Sequence, residues 1–460
     1  MTNEPAMVLS SDRLRANARI GPLVGQGAFQ PSGKPAQVAA IEAARGLCAM
    51  YVVVAHIVQI FGYRKLFRDS YPIIIDLLSG YAHEAVICFF LLSGFSIHYV
   101  SMSRNLADRS GLRDYFFLRF RRIYPIFLVG ICITFIGYFL GAGIGLNTHV
   151  LALHSVSLRQ ALANLLFLGD RNNIPGTLFA TLETNAPLWS LSYEIPYYLI
   201  YPFLWGIARR RGVRGIFVTG LIVSLTAALV GYIWQPNQLS NILEMYYIWC
   251  FGAVVGEWRR RGVLLGVSKF QWTLMIVLML QGIWVLSESR FAVVREPIWS
   301  CVFFVVMVYP ICTASSARFN LTTSLWFVSI STVVALTIVW SSQFVAFSRS
   351  MPLFYVKIGA TWMLGVLAIL PVDNFDIMRF ARKWLGKFAW LGGISYALYL
   401  VHYPILVFVQ QLTLRLDIAV EWAFLSLPLP FLIAVLLEHR MQPWAAGWLD
   451  KRYRARVGAR

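Results

Sequence analysis

The chain has 460 residues, of which 58% are hydrophobic and only 13% are charged. Soluble domains are nearer half apolar and a quarter charged, so this balance excludes a secreted enzyme, a disordered protein and a soluble multidomain chain. It predicts an integral membrane protein. The formal net charge of +19 fits either a nucleic-acid-binding protein or a membrane protein with basic cytoplasmic loops, and the positions of the basic residues decide between them.

Residues 1–40 form a polar tail without the apolar run and cleavage site of a signal peptide. After that tail, apolar stretches close to the ~20 residues of a spanning helix follow one another. Twelve spans are predicted: 43–62, 84–103, 122–142, 187–208, 215–234, 241–258, 270–288, 296–314, 325–347, 352–371, 390–413 and 420–438. We therefore expect an all-α polytopic membrane protein of about 10–12 transmembrane helices, with a membrane domain over 41–440 and a basic tail over 441–460.

The Lys and Arg residues are unevenly distributed around these spans. With the amino terminus inside, thirty of the 40 basic residues fall in inner segments and ten in outer segments, which is the bias of cytoplasmic loops. Both termini are therefore predicted to be cytoplasmic. Runs such as Arg209–Arg211 are interpreted as topology anchors, so no nucleic-acid partner is expected. The longest hydrophilic loop, about 143–186, is predicted outside, as either a substrate lid or a plain connector.

The first span carries ionisable residues, which are costly in a bilayer and are therefore candidates for function. Glu42 and Arg45 are three residues apart and can pair on one helix face. His56 shares that face, since eleven residues make about three turns, and it lies ~16 Å deeper than Arg45. A buried histidine is either a hydrogen-bonded structural group or a catalyst, and its alignment with the Glu/Arg pair favours catalysis.

Arginines and a glutamate mark the third and fourth spans. Arg119, Arg121 and Arg122 stand at the cytoplasmic entry of the third span, where guanidinium groups suit a phosphorylated ligand or serve as a topology anchor or a lipid phosphate site. Glu194 lies about two turns inside the fourth span, ~10 Å from its outer end, whereas Trp189 fits the interfacial belt.

The eleventh span places Ser395, Tyr399 and His402 on one face. His402 and His56 each lie ~16–18 Å along helices that enter from inside, and Glu194 enters from outside. These three side chains are therefore predicted to converge in the outer half of the bilayer. The pattern indicates an anionic ligand at the cytoplasmic end and general acid/base chemistry at the other.

Five short motifs in this order resemble those of the acyltransferase-3 family of membrane O-acyltransferases. They are the Glu42–Arg45–Gly46–His56 set of the first helix, Phe89–Phe95, Arg119–Pro125, Trp189–Glu194 and Ser395–His402. The second of them alone is more typical of small-residue helix packing. Two departures are Ile195 and Pro196, where the family often has Glu and Gln, and twelve predicted spans where the family usually has about ten.

The resemblance implies transfer of an acyl group, usually acetyl, from cytoplasmic acyl-CoA to a hydroxyl of a lipid-linked or cell-surface glycan, such as O-antigen or exopolysaccharide. It implies a bacterial inner-membrane enzyme of the stand-alone type, for which His56 and Arg45 are essential. Acetyl-CoA is then a co-substrate, no metal is expected, and the membrane lipids surround the protein. Self-association into a homo-oligomer is left open.

These implications give each candidate residue a hypothetical role. His56 is a base or a nucleophile, with Arg45, Glu42 and Glu194 supporting it. Arg119, Arg121 and Arg122 bind the phosphates of the donor. The residues expected to line the substrate path are Trp189, Ser190, Ser395, Tyr399 and His402.

Two other classes of protein remain open. A facilitator-type transporter would have twelve helices with both ends inside, and Leu106–Arg113 resembles the loop that follows its second helix. Arg104 and Leu112 depart from that loop, and the second half of the chain does not repeat it. The other class is a glycan flippase or assembly subunit. Thioester cleavage separates the enzyme from both.

Overall fold

A computed structural model describes residues 35–67, 69–146, 157–171, 174–263, 265, 295–312, 386–419, 422, 425–426 and 428–458. Over these residues the chain is helical and forms no strand, although Asp170 and Ala180 make an isolated β-bridge. Six of the described helices are long and apolar enough to cross a membrane. The prediction of an all-α polytopic membrane protein is confirmed.

The described helices follow in chain order. They are α1 (Pro35–Ile60), α2 (Tyr63–Phe67), α3 (Pro72–Ser79), α4 (Ala82–Ser101), α5 (Arg109–Gly143), α6 (Leu158–Leu165), α7 (Trp189–Trp234), α8 (Gln238–Glu244), α9 (Tyr246–Arg260), α10 (Arg295–Cys312), α11 (Ala389–Arg415), α12 (Pro428–Leu436) and α13 (Gln442–Gly458). A 3₁₀ turn, Glu183–Leu188, precedes α7, and a π-helical turn, Leu437–Met441, joins α12 to α13.

Five predicted spans coincide with the observed helices α1, α4, α5, α10 and α11. In the twelfth, 420–438, the described α-helix is only Pro428–Leu436. Two further differences have a local cause. The fourth and fifth predicted spans form the single element α7, which is interrupted at Gly212 with φ +60°. A residue without Cβ adopts that left-handed conformation readily, so the chain changes direction there. The sixth predicted span is divided between α8 and α9. The predicted spans 270–288, 325–347 and 352–371 lie outside the described residues.

Helices α1, α5 and α11 run parallel to one another, and we call them the histidine group. Successive contacts follow this direction: Gly46 with Leu391 and His56 with His402 between α1 and α11, and Ile123 with Tyr396 and Gly130 with Leu400 between α5 and α11. All three helices therefore begin at the same end of the bundle. The group has its own apolar core, which includes Ile126, Phe127, Leu398 and Val401.

Helices α4, α9 and the first half of α7 form a second parallel set, which we call the glutamate group. The contacts that define it are Ser93 with Glu194, His98 with Tyr201, Leu91 with Gly252 and His98 with Glu257. Its core is aromatic, with Trp249, Tyr193, Tyr197, Tyr201 and Tyr246 fully buried. The two groups run in opposite directions, because Cys48 of α1 contacts Cys88 whereas the later Tyr51 bonds Tyr81, just before α4.

Small residues let α4 and α9 approach each other closely. A Cβ added to Gly94 would lie 1.9 Å from the Trp249 carbonyl oxygen, and one added to Gly252 would lie 1.9 Å from that of Leu91. Helix association within a membrane depends on such close packing. The small-residue interpretation of the Phe89–Phe95 motif therefore fits Gly94.

The described part of the segment before α7 packs into the bundle. The Phe167 and Phe127 ring centroids are 4.1 Å apart. Asn185 Nδ2 donates to the Leu400 carbonyl oxygen at 3.2 Å, which is ~17 Å along α11. That carbonyl is free because Pro404, four residues later, has no N–H to donate. Helix α7 therefore begins near the middle of α11.

Candidate active site

Two glycines bring α1 and α11 together. A Cβ on Gly46 would lie 2.3 Å from Leu391 Cβ, and a Cβ on Gly392 would lie 2.3 Å from the Glu42 carbonyl oxygen. Any larger residue at either position would push the two backbones apart. The crossing also fixes the register of the two helices over the next three turns, where the histidines lie.

The two histidines meet ten residues beyond this crossing, ~15 Å deeper in the bundle. His56 Nδ1 lies 2.8 Å from His402 Nε2, and the two ring planes differ by only 7°. His402 is fully buried and its Nδ1 lies 3.0 Å from the Leu398 carbonyl oxygen. His56 is half-buried, with the Tyr403 ring edge-on at 5.0 Å between centroids. The structure therefore brings the two predicted histidines into direct contact.

The Glu/Arg pair of the first span forms as an ion pair. Arg45 Nη1 lies 3.5 Å from Glu42 Oε1, and both side chains are partly exposed within the bundle. Arg45 also lies within electrostatic range of Glu194 and Tyr198. The guanidinium group therefore faces the glutamate group from its position near the beginning of α1.

Glu194 belongs to a polar cluster at the centre of the glutamate group. Ser93 Oγ donates to Glu194 Oε1 at 2.5 Å, and Tyr198 OH donates to the same oxygen. Trp249 Nε1 in turn donates to Ser93 Oγ at 3.3 Å. Tyr399 of α11 lies within electrostatic range of the Glu194 carboxylate. The carboxylate is thus held on one side and faces the histidine group on the other.

Glu194 lies with Arg45 rather than with the histidines. The predicted depth assumed that the fourth span starts at the outer end of the bundle. Because α7 starts near the middle of α11, its second turn reaches the level of Arg45 and Tyr396. His56 and His402 therefore meet each other, whereas Glu194 lies nearer the end of the bundle where α1 begins.

Two predicted substrate residues, Tyr399 and Ser190, bond to the turn that precedes α7, and a third, Ser395, does not. Tyr399 OH donates to the Pro187 carbonyl oxygen at 3.0 Å, and Ser190 Oγ donates to the same oxygen at 3.2 Å. Ser395 Oγ bonds within its own helix, to the Gly392 carbonyl oxygen at 2.8 Å. The Tyr399 and Ser190 hydroxyls anchor the beginning of α7, and Tyr399 also lies within electrostatic range of Glu194.

Trp189 is covered on its ring faces by protein groups. The Arg171 guanidinium lies 4.4 Å from its ring centroid, and the His83 ring stacks on it at 5.9 Å. Next to Arg171, the Asp170 carboxyl accepts from the Arg171 backbone N–H at 2.7 Å, and burial raises its pKa. Trp189 is therefore part of the wall that closes this end of the glutamate group.

The three predicted phosphate-binding arginines are not equivalent. Arg121 pairs with Asp450 at 2.5 Å, and Arg122 makes two hydrogen bonds to Glu438, at 2.6 and 3.1 Å. Both acids lie in the last part of the chain, beyond α11. Arg119 lies 5.6 Å from the centre of the Tyr115 ring, and its buried Nε has no hydrogen-bond partner.

Arg104 adds a cation near Arg119. Burial lowers the pKa of its guanidinium, and the nearby positive charge of Arg119 lowers it further. An anionic ligand beside both side chains would relieve this repulsion. Sequence reasoning treated Arg104 only as a departure from a transporter loop.

Sequence reasoning also missed a second buried histidine. His98 Nε2 lies 3.1 Å from Glu257 Oε2, and both side chains are fully buried. Glu257 also accepts hydrogen bonds from Arg260 and Arg261 at 2.6 to 2.8 Å. The cost of ionisable groups inside spans is a signal that would have singled out His98 and Glu257. Among the residues that the structure describes, no group of three His, Cys, Asp or Glu side chains is arranged to hold a metal ion.

Together, the apolar helices and the polar residues between their two groups define a polytopic membrane protein with a candidate site inside the bundle. A family model described as an acyltransferase domain, Acyl_transf_3, matches residues 38–439, nearly the whole chain. No curated protein and no solved structure matches. The chain belongs to the acyltransferase-3 family, and it is a membrane acyltransferase.

Proposed function

We propose that this protein transfers an acyl group, in the first instance acetyl, from cytoplasmic acyl-CoA to a hydroxyl of a lipid-linked or cell-surface glycan in a bacterial inner membrane. The observation that supports the proposal best is the His56–His402 pair, with a nitrogen–nitrogen distance of 2.8 Å. Arg45, Glu194 and Tyr399 lie between this pair and the end of the bundle where α1 begins. An imidazole there can act on a hydroxyl away from bulk water.

The donor would enter at the end where α1 begins. Arg45 is held by Glu42 and faces Glu194, so it can position the thioester end of the donor. Arg119 has an unpaired buried nitrogen and is the best candidate among the predicted arginines for a phosphate of CoA. Arg121 and Arg122 are paired with carboxylates and would hold the last helices against α5.

The acceptor hydroxyl would react at His56. The imidazole either removes its proton while the oxygen attacks the thioester, or first carries the acyl group as a nucleophile. Glu194 would then orient Arg45 rather than the histidine. Tyr399 lies between the two, with its ring centroid 5.9 Å from that of His402 and within electrostatic range of Glu194, and would line the passage of the acyl group.

The experiment follows a radiolabelled acetyl group through the purified protein in detergent. Labelled acetyl-CoA is supplied with and without crude lipid-linked glycan, and label is measured in free acetate, protein and glycan. The wild-type protein and the exposed-histidine control His439→Ala should both label the glycan. His56→Ala should fold and fail to do so.

Each outcome decides a separate point. Label retained on the wild-type protein favours a covalent intermediate over direct transfer. A well-folded, fully active His56→Ala protein contradicts the mechanism. If the protein moves glycan across the membrane of a vesicle without cleaving the thioester, a flippase or a transporter is favoured. No contact among the described residues supports either of these classes.

A further inference from the structure

The hydrogen bonds of the histidine pair have only one consistent direction when both rings are neutral. His402 Nδ1 lies 3.0 Å from the Leu398 carbonyl oxygen, which can only accept, so this nitrogen carries the proton. A neutral imidazole carries one N–H, so His402 Nε2 presents a lone pair. His56 Nδ1, 2.8 Å away, must then be the donor.

The surroundings of the pair favour neutral rings. His402 has no exposed surface, and among the described residues the ring contacts and the further hydrogen bond of the pair come from Tyr399, Tyr403 and the Leu398 carbonyl. An imidazolium at this depth would need a carboxylate partner or water to offset its loss of hydration. The neutral assignment leaves the lone pair of His56 on Nε2.

We infer that His402 is a positioning residue that holds His56 in its Nδ1–H tautomer, so that Nε2 of His56 is the atom that takes the acceptor proton. The catalytic part of this inference rests on the proposed acyl transfer, whereas the tautomer of His56 does not depend on it. It replaces the sequence-based interpretation of His402 as a substrate contact. The hydrogen bond at one ring nitrogen determines the protonation of the other.

A single atom, Nε2 of His56, both takes and returns the proton during the transfer. His56 Nε2 takes the proton of the acceptor hydroxyl while its oxygen attacks the thioester carbonyl carbon. A carbon–oxygen bond forms, the carbon–sulfur bond breaks, and Nε2 returns the proton to the thiolate of CoA. His56 Nδ1–H stays bonded to His402 throughout, so His402 remains neutral and the ester and free thiol are the products.

Two substitutions of His402 distinguish its hydrogen bond to His56 from its hydrogen bond to the Leu398 carbonyl. The terminal amide of Gln reaches the position of Nε2, so His402→Gln can still accept from His56. The shorter Asn reaches only the position of Nδ1, so His402→Asn can still donate to the Leu398 carbonyl but loses His56. Both replacements are polar amides, and the comparison therefore isolates the hydrogen bond between the two rings.

The readouts are the tautomer and the kinetics. Nitrogen-15 NMR of histidine-labelled protein in lipid reports which ring nitrogen carries the proton, and the signals of His56 are assigned by their loss in His56→Asn. The wild-type protein and His402→Gln should show protonated Nδ1 and unprotonated Nε2. His402→Asn should lose that preference, with kcat lowered about 100-fold or more and KM for acetyl-CoA changed little.

The outcomes that overturn the inference differ from those that overturn the function. A wild-type His56 protonated on Nε2 contradicts it, as does an equal loss of kcat in the folded Gln and Asn variants. A protein without acyl-transfer activity refutes the proposed function, but the NMR spectra still decide whether His402 fixes the tautomer. Normal thermal unfolding of each variant confirms that the comparison concerns folded protein.

Discussion

Two histidines inside the described part of the bundle, His98 and His56, differ in the nature of their partners. His98 faces the Glu257 carboxylate, which two arginines also bind. His56 faces the neutral imidazole of His402, which a backbone carbonyl holds. His98 is fully enclosed, whereas His56 is half-buried.

The difference separates a structural pair from a reactive one. Both carboxylate oxygens of Glu257 already accept hydrogen bonds from protein groups. The His98–Glu257 pair therefore holds α4 against α9 and is not available to a substrate. In the other pair the hydrogen bonds stop at His56, one nitrogen of which has no described partner. Burial alone therefore does not identify a catalytic histidine. A ring nitrogen that no protein group binds is more informative.

The largest expected effect is on activity, at His56. Substitution His56→Asn should lower acyl transfer by about 100- to 10,000-fold, because a general acid–base group is lost. Thermal stability should change little, since no charge is left unpaired. Turnover of labelled acetyl-CoA and the midpoint of thermal unfolding are measured on the same preparation. A large fall in stability would mean that the His56 pair is structural as well.

The reverse result is expected at the other pair. Substitution Glu257→Gln removes the carboxylate that Arg260 and Arg261 share, and because both arginines are partly exposed it should destabilise the protein by about 1–3 kcal/mol. Activity per folded molecule should be retained. The yield of monodisperse protein and its thermal midpoint are compared with Glu244→Gln in the neighbouring helix. Loss of turnover without loss of stability would contradict the distinction between the pairs.

A third prediction concerns the helix crossing that sets the register of the histidines. Gly392→Ala should cost about 1–3 kcal/mol of stability by overpacking, and should lower turnover further by moving His402 away from His56. Gly393→Ala is the matched control, because an added Cβ there meets nothing within 4 Å. Denaturation and kcat are measured for both variants. Equal behaviour of the two would show that the crossing does not position the pair.

The smallest effect is expected at the donor end. Arg119→Gln should raise KM for acetyl-CoA about tenfold, the scale of one hydrogen bond to a charged group. With acetyl-pantetheine, which lacks the nucleotide phosphates, the same variant should behave like the wild type. Arg113→Gln, at a position bonded to Tyr453, serves as the control. An unchanged KM for acetyl-CoA would remove Arg119 from the donor site.

Local sequence patterns predicted the parts of the fold that depend on one helix at a time. Length and hydropathy identified the described spanning helices, and the turn arithmetic that put His56 and His402 at similar depth agrees with their contact. The depth of Glu194 could not be obtained in this way. It depends on where α7 begins, which is set by the bond from Asn185 to Leu400, 215 residues away in the chain.

Long-range pairing explains the other differences. Arg121 and Arg122 bind Asp450 and Glu438, each more than 300 residues later in the chain, and no spacing rule connects them. A cluster of arginines in the sequence therefore suggested three equivalent phosphate contacts. Only the folded chain shows that two of the three are already neutralised.

The proline in α11 has a mechanical consequence for the site. Because Pro404 has no N–H, the Leu400 carbonyl has no competing helical donor, and the bond from Asn185 is not exchanged for one within the helix. Tyr399 and Pro187 make a second attachment one residue away. The turn Glu183–Leu188 before α7 is thus fixed to the helix that carries His402. It should move with that helix as part of the wall of the site and should not open as a lid.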